Sequence, residues 1–359
     1  MNESYPTEAM RRLGIRHPII QGPFGGGLST ARLAATVSNL GGLGSYGAHS
    51  LSPDEILDTA REIRALTAAP FALNLWVSDH DDGGLDPDDA EFERVSRIFA
   101  PYFRELGVEL PTRPETFNQR FDEQVAAVLE ANPPVFSFVF GVPSNATLSE
   151  CRRRGMVTVG AATTIAEARV LEEADVDLVV ASGSDAGGHR PSFLRSAEES
   201  LTGTFSLVPL IADRARIPVI AAGGIVDARG VCAALALGAH AAQIGTAFLA
   251  CEESGTTAEH REILFGDRAQ ETLLTRAFSG RLARGVCNRW TDEMAPRLAE
   301  LPPFPIQSWF VSKLRPAAIK AGRTDLVSLW SGQAAPNLRH RTASSLMDAL
   351  INPPKEIRR

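Results

Sequence analysis

The chain has 359 residues, of which 44% are hydrophobic and 22% are charged, a balance typical of a globular protein with a sizeable core. Its net charge of −7, with no long run of lysine and arginine, argues against nucleic acid or an anionic membrane as a partner. The N-terminal residues lack the apolar core of a signal peptide, and no apolar run is long enough to span a membrane. We therefore expect a cytoplasmic protein.

Short apolar runs alternate with helical segments along most of the chain. The first run, PIIQG, precedes a helical stretch that Ser29 or Thr30 can cap, and Ser52 can cap the helix after the second run. The predicted strands cover residues 18–22, 42–47, 71–77, 135–141, 156–161, 177–183, 217–224 and 241–246. Eight such units with continuous apolar strands favour a TIM (β/α)8 barrel over an open doubly wound sheet, which remains the alternative.

Two longer segments interrupt this alternation. Residues 78–133 separate the third and fourth strands, and residues 249–340 follow the eighth strand. Insertions after the C-terminal end of a barrel strand lie over the active face. We therefore predict a barrel of residues 1–77 and 134–248, a mostly helical lid domain of 78–133 and 249–340, and a C-terminal tail of 341–359. The acidic stretch that opens the first insertion, DHDDGGLDPDDAEFE, is interpreted as a solvated loop.

Glycine turns follow the seventh and eighth predicted strands, in AAGGI (221–225) and QIGT (243–246). In barrels of this type the loops after these two strands often hold a phosphate group. Glycine exposes backbone N–H groups, and each following helix directs its positive end at an anion. Tight turns alone also select glycine, but two such turns at the two expected places favour a phosphate site. Its candidate residues are Gly223, Gly224, Gln243, Ile244, Gly245 and Thr246.

Further candidate ligand contacts lie in the first and third units. The first strand ends in QGPFGGG, where Pro23 restricts the backbone and the glycines allow a planar ligand to lie against the chain. A flexible turn is the alternative. Asn74 lies inside the apolar FALNLWV, and a buried amide needs hydrogen-bond partners. This residue is either a core asparagine tied to backbone or a group that recognises a ligand.

A lone histidine, His189, follows the sixth strand in the stretch SGSDAGGHR. Its position at the C-terminal face of the barrel, directly after Gly187 and Gly188, favours catalysis over a surface or core role. A neutral imidazole with a pKa near physiological pH suits a general base. His49, which follows the second strand, is the weaker second candidate.

The sequence predicts neither a metal site nor a disulfide. The cysteines are far apart and form no C-x-x-C pair, so we expect free thiols in a reducing compartment. No two histidines have the spacing of metal ligands. The four cysteines are Cys151, Cys232, Cys251 and Cys287.

The motifs together resemble those of the nitronate monooxygenase family, also called 2-nitropropane dioxygenases. The matching stretches are PIIQGPFGGG, FALNLWV, SGSDAGGHR, PVIAAGGIVDARG, AAQIGTAFL, TRAFSGRLARG and LWSGQAA, in this order over most of the chain. The resemblance implies a non-covalent FMN with its phosphate on Gly224 and the turn 243–246. The residues implied around the rest of the cofactor are Pro23, Phe24, Asn74, Ser182 and Gly187, with Gly188 and Gly223 beside them.

The resemblance also implies a reaction. His189 would act as base towards a nitroalkane or assist its nitronate, and dioxygen would then yield a carbonyl compound and nitrite without any nicotinamide. An NAD(P)H-dependent FMN reductase of a quinone or an enoyl thioester is one alternative. A non-catalytic flavin-binding protein is the other. A homodimer is one option for the oligomeric state.

Three positions depart from the family pattern. Phe24 stands where members usually carry Met, Ser182 where they usually carry Gln, and Pro191 where Gly is common. The first two change groups beside the expected flavin ring, and the third makes the loop after His189 stiffer. We expect these positions to influence the choice of substrate.

Overall fold

The computed structural model describes residues 6–352 of the chain. Its strands are β1 (Ile19–Gln21), β2 (Gly44–Gly47), β3 (Phe71–Trp76), β4 (Val135–Val139), β5 (Val157–Ala162), β6 (Leu178–Ser182), β7 (Gly188–His189), β8 (Val219–Ala222), β9 (Ala241–Ile244), β10 (Thr272–Thr275) and β11 (Ala283–Val286). Eight of them pair in the order β1-β9-β8-β6-β5-β4-β3-β2, all parallel. A bridge between Ile20 and Leu43 joins the two ends. The prediction of a TIM barrel is therefore confirmed.

Helices surround the barrel and build most of the lid. Local signals define several of their ends: the Ser52 hydroxyl and the Glu55 carboxylate form a capping box, with Pro53 in the first turn. The helices are α1 (Glu8–Leu13), α2 (Ala31–Asn39), α3 (Pro53–Leu66), α4 (Asp89–Glu105), α5 (Phe121–Ala131), α6 (Asn145–Arg153), α7 (Ile165–Glu173), α8 (Thr204–Ala212), α9 (Ala228–Ala236), α10 (Thr246–Leu249), α11 (Ala258–Phe265), α12 (Arg289–Met294), α13 (Ile306–Lys320) and α14 (Ala343–Ile351).

The barrel strands are buried on both faces, as their continuous apolar runs predict. Their inward side chains form one cluster, which α1 joins through Ala9 and Leu13. Their outward side chains form a second, larger cluster with the surrounding helices. The inward cluster contains Ile20, Leu43, Ala72, Val135, Val159, Ala161, Leu178, Val180, Ile220, Ala222 and Ala241.

The lid has a hydrophobic core of its own. It joins α4, from the first insertion, to α12, α13 and the segments around them, and the Trp290 indole at its centre donates a hydrogen bond to the Ala277 carbonyl at 3.0 Å. This separate core explains how the lid holds its shape over the barrel. Its largest side chains are Phe99, Tyr102, Phe103, Phe117, Phe278, Trp290, Trp309 and Phe310.

Two helices from outside the predicted barrel ranges pack against the barrel. From the first insertion, residues 78–133, α5 packs into the barrel cluster through Val125, Val128 and Ala131. From the segment expected as a tail, residues 341–359, α14 does the same through Leu346 and Met347. Both helices therefore belong to the outer ring of the barrel, because each has an apolar face that the barrel surface buries. Residues 353–359 lie outside the described residues.

A small antiparallel sheet connects the barrel to the lid. Strand β11 pairs with β10 on one side and with β7 on the other, where Ala283 faces His189 and Arg284 faces Gly188. The loop after β6, which carries His189, is therefore held by backbone hydrogen bonds to the lid. This pairing fixes the place of His189 over the barrel.

Candidate active site

A cavity of about 350 Å³ lies at the C-terminal ends of the barrel strands, where residues of the barrel and the lid face each other. It brings together the sequence-predicted residues with one exception. The Ile244 side chain is buried in the barrel core instead, and its carbonyl accepts a hydrogen bond from the Gly22 amide at 2.9 Å. The predicted residues that line the cavity are Pro23, Phe24, Asn74, Ser182, Gly187, Gly188, His189, Gly223, Gly224, Gln243, Gly245 and Thr246.

His189 lies in the wall of this cavity. Its Nε2 is 2.8 Å from the Ser279 hydroxyl, whereas its Nδ1 makes no hydrogen bond with the residues that the structure describes. The ring packs against Trp76 in a T-shaped arrangement with centroids 4.7 Å apart and lies 5.2 Å from the Trp330 ring. The imidazole is therefore fixed on one nitrogen and leaves the other for a ligand.

The surroundings of His189 favour the neutral imidazole. Burial lowers the pKa of His189, and the nearby His49 and the Arg281 guanidinium lower it further, to about 3. The ring is therefore neutral at physiological pH and keeps a free lone pair, but without an anion beside it the imidazole is a weak base. An anion formed next to it would stabilise the imidazolium and raise this pKa again.

A buried arginine holds the loop that carries His189. The Arg190 guanidinium donates hydrogen bonds to the carbonyls of Gly183, Ser182 and Ser200, the second at 2.7 Å. Gly187 lies in the same loop, next to the backbone of Gly332. A Cβ at position 187 would lie only 2.5 Å from the Gly332 amide nitrogen. This glycine therefore allows another segment of backbone to approach closely.

The glycine turns after β8 and β9 form an open cradle. Gly223 and Gly224 have φ angles of 117° and 68°, which favour glycine. Gly245 lines the cavity, and a Cβ on it would have a Phe24 ring atom, 4.0 Å away, as its nearest neighbour apart from the adjoining residues. The sequence suggested that the helices after both turns point at an anion. The Asp227 carboxylate already accepts hydrogen bonds from the first amides of α9. The first amides of α10 have no side-chain cap, and this helix begins at the cavity.

Two polar side chains of the predicted set, those of Asn74 and Thr246, have defined partners. The Asn74 amide donates to the Ser137 hydroxyl at 3.0 Å, so a neighbouring strand rather than the backbone holds this buried side chain. The Thr246 hydroxyl accepts a hydrogen bond from the Gly332 amide at 2.9 Å. These contacts fix the two side chains in the wall of the cavity.

Aromatic residues that the sequence did not single out form much of the cavity wall. Phe140 meets the Trp76 indole with ring centroids 4.8 Å apart, and His49, the second histidine candidate, stacks on the same indole at 3.9 Å. Their sequence signal is weak, because aromatic residues at strand ends and in loops are also common in cores. The additional aromatic residues that line the cavity are Trp76, Phe140, Phe278 and Trp330.

One face of α13 adds polar groups from the lid. Ser308, Val311, Ser312 and Arg315 follow the spacing of neighbours on a helix and all line the cavity. Arg315 donates to the Gly26 carbonyl at 2.6 Å and makes no salt bridge with the described residues. Burial lowers the pKa of Arg315. It is thus a cation in the cavity wall without a carboxylate partner in residues 6–352.

Arg281 connects the start of the first insertion to the lid. Its guanidinium donates to Asp81 at 2.8 Å and stacks near the rings of Phe140 and Phe304, at 4.3 Å and 4.1 Å. The acidic stretch expected as a solvated loop therefore supplies the counter-ion of a buried arginine. Without this partner the cation would be costly to bury.

Within residues 6–352, the structure contains no cluster of histidine, cysteine and carboxylate side chains that could hold a metal ion. In the same range no helix is long and apolar enough to cross a membrane. All four cysteines are free, as expected, and Cys151 and Cys251 are buried.

Comparisons with known proteins agree with this arrangement. The family model described as nitronate monooxygenase matches residues 7–352. A probable nitronate monooxygenase of Staphylococcus aureus (strain Newman) is 38% identical over 341 residues, 95% of either chain. A crystal structure of nitroalkane oxidase from Streptomyces ansochromogenes has a TM-score of 0.88 and 35% identity, over 98% of this chain and 99% of that one. FabK from Thermotoga maritima has a TM-score of 0.74 and 28% identity, over 97% and 96% of the two chains.

The family match and the likeness to nitroalkane oxidase, together with the barrel fold, identify the protein as an oxidoreductase of the TIM-barrel type. The chain belongs to the nitronate monooxygenase family, whose members are flavin-dependent. The family resemblance stated from the motifs is therefore confirmed.

Proposed function

We propose that the protein binds FMN in this cavity and oxidises alkyl nitronates, or the nitroalkanes that yield them, with dioxygen. The observation that carries the proposal is one cavity that contains both the glycine cradle after β8 and β9 and the accessible Nδ1 of His189. The cradle accounts for the cofactor, and the imidazole accounts for the proton that must leave a neutral nitroalkane.

The residues around the cavity fit FMN. Apart from the adjoining residues, a Cβ on Gly188 would have no atom within 4 Å, and a Cβ on Gly245 would have none closer than 4.0 Å. The backbone at both glycines is therefore open to a ligand. The loops after β8 and β9 correspond to those that hold a phosphate in many TIM barrels. Pro23 and Phe24 after β1, with Asn74 and Ser182, would then surround the ring system and the ribityl chain.

When bound, FMN would accept electrons from the nitronate and pass them to dioxygen, with a carbonyl compound and nitrite as products. The protein's own residues do the rest. His189 Nδ1 accepts the proton from the carbon next to the nitro group, and the resulting nitronate stabilises the imidazolium. Trp76, Phe140, Phe278 and Trp330 exclude water, which strengthens this electrostatic interaction. The Arg315 guanidinium adds positive charge to the same cavity.

The test is anaerobic mixing of the flavin-loaded protein with a preformed alkyl nitronate. We expect the flavin absorbance to bleach, and readmitted oxygen to restore it with release of nitrite. Parallel mixing with NADH and NADPH is the comparison. If a reduced nicotinamide bleaches the flavin much faster than nitronate, and no nitrite appears, the reductase alternative is correct. If no donor reduces the flavin, the protein is a non-catalytic flavin binder.

A further inference from the structure

Ser279 is the direct hydrogen-bond partner of His189, although the two residues are 90 positions apart in the sequence. Ser279 is buried in the segment between β10 and β11 and lines the cavity. We propose that Ser279 sets the tautomer of His189, so that Nε2 carries the proton and Nδ1 presents its lone pair to the cavity. Ser279 is thus a positioning residue. The use of Nδ1 as a base rests on the proposed function, whereas the tautomer does not.

The argument starts from the hydrogen bonds of the Ser279 hydroxyl. Its oxygen accepts from the Arg281 amide at 3.2 Å, lies 3.2 Å from the Arg281 carbonyl and lies 2.8 Å from His189 Nε2. A hydroxyl has one proton and two lone pairs. The amide uses one lone pair, and a carbonyl can only accept. All three contacts are satisfied only if the hydroxyl donates to the carbonyl and accepts from Nε2–H.

The opposite arrangement leaves a buried group without a partner. If the hydroxyl donated to Nε2, the Arg281 carbonyl would lose the only donor that it has among residues 6–352. Arg281 is buried, and an unpaired buried carbonyl is unfavourable. The backbone of Arg281 therefore orients the hydroxyl, and the hydroxyl orients the imidazole.

The position of Arg281 is itself well determined. Its guanidinium is held by the Asp81 carboxylate at 2.8 Å and the Ser78 hydroxyl at 2.8 Å. The other rings around His189, from Trp76, Phe140 and Trp330, carry no titratable group. The charged or titratable groups that act on His189 are His49 and Arg281, and both disfavour a second proton on the ring. The neutral ring therefore carries a single proton on one of its two nitrogens, and the hydrogen bond to Ser279 places that proton on Nε2.

This tautomer supports one proton transfer. The Nδ1 lone pair forms a bond to the proton while the carbon–hydrogen bond of the nitroalkane breaks, and its electron pair remains in the nitronate. The proton stays on Nδ1, and Nε2–H continues to donate to Ser279. No oxidant takes part in this step. A preformed nitronate has no such proton, so its oxidation does not require the Nδ1 lone pair.

The direct test is nitrogen-15 NMR of the histidine-labelled protein at neutral pH, with the His189 signals assigned by comparison with His189→Asn. We expect the wild-type protein to show a protonated Nε2 and an unprotonated Nδ1. We expect Ser279→Ala to show a mixture of tautomers and Ser279→Thr, which keeps the hydroxyl, to restore the Nε2–H form. A wild-type spectrum with the proton on Nδ1 would overturn the proposal whether or not any variant folds.

Kinetics give the second readout. Ser279→Ala should lower kcat for a neutral nitroalkane by about 5- to 10-fold, the usual effect of one hydrogen bond, and leave the oxidation of preformed nitronate nearly unchanged. Ser279→Thr should recover most of the loss. Equal losses for both substrates, with unchanged tautomers, would contradict the proposal and indicate a packing role. If wild-type protein oxidises neither substrate, the proposed function fails while the NMR result still decides the role of Ser279.

Discussion

The imidazole of His49 stacks on the indole of Trp76, with ring centroids 3.9 Å apart and an angle of 10° between the planes. His189 meets the edge of the same indole, so Trp76 contacts both histidines of the cavity. The ring of His49 makes no hydrogen bond with the described residues and its Nδ1 is enclosed, whereas the ring of His189 is hydrogen-bonded to Ser279. Stacking holds the first histidine, and a directed hydrogen bond orients the second. This difference supports the proposal that His189 rather than His49 is the base.

The first prediction compares the two histidines. His189→Asn should retain flavin but lower kcat/KM for a neutral nitroalkane by ~10²–10⁴-fold, the usual contribution of a positioned base. Preformed nitronate should lose less, because its proton has already left. His49→Asn is the matched control and should have the smaller effect on the nitroalkane. Equal small effects of His189→Asn on both substrates would remove His189 from the role of base.

The second prediction concerns pH. The pKa of His189 is lowered from 6.5 to about 3, first by burial, so the neutral base persists as the pH falls below 6.5. For a neutral nitroalkane, kcat/KM should therefore stay level from about pH 7 to pH 5 and decline only below that range. Steady-state rates in this interval check it. A decline centred near 6.5 would mean that the imidazole is not shielded in the working enzyme.

The third prediction tests the glycine cradle. A Cβ on Gly245 would meet no protein atom closer than 4.0 Å, so Gly245→Ala should fold and instead fill space that the cofactor needs. We expect flavin affinity to fall roughly 10- to 100-fold, the range for an added methyl group in a close-packed site. Flavin fluorescence titration measures this loss, and thermal unfolding of the flavin-free protein checks the fold.

Gly203→Ala is the control for this substitution. Gly203 lies outside the cavity wall, and its Cβ position is 3.7 Å from the nearest side-chain atom, from Asp185. The Gly203→Ala variant should bind flavin with the affinity of the wild type. If both variants bind flavin with wild-type affinity, the cradle after β9 does not hold the cofactor.

The fourth prediction concerns the cofactor itself. The cavity has one open glycine cradle, and the sequence has no dinucleotide-binding fingerprint, so the protein should release FMN on denaturation. Chromatography of the released flavin distinguishes FMN from FAD. Recovery of FAD, or failure of the protein to take up either flavin, would overturn the assignment.

The fifth prediction concerns Arg315, the cation in the cavity wall that has no carboxylate partner among the described residues. Arg315→Met should raise KM for a nitronate anion by up to about fivefold, the scale of one solvent-accessible charge pair, and change KM for a neutral nitroalkane less. Lys313→Met removes the same charge from the exposed side of the same helix and is the control. Equal changes for the anion and the neutral substrate would exclude an electrostatic role for Arg315.

The sequence by itself determined the number and order of the barrel strands, because each is a short apolar run between helical segments. It also placed His189 and the glycine turns at the C-terminal face of the barrel, since loops after parallel barrel strands meet at one end. These inferences need only local patterns and one topological rule. A strand pattern alone did not show that the Ile244 side chain is buried in the barrel core.

The tertiary structure decided what depends on contacts between distant segments. It assigned α5 and α14 to the barrel, because only packing shows which surface buries an amphipathic helix. It brought Ser279 to His189 across 90 residues and turned Arg315 of the lid towards the cavity. Such contacts depend on how the lid packs over the barrel and on the rotamers of the side chains. Hydrophobic periodicity in the sequence contains no information about either.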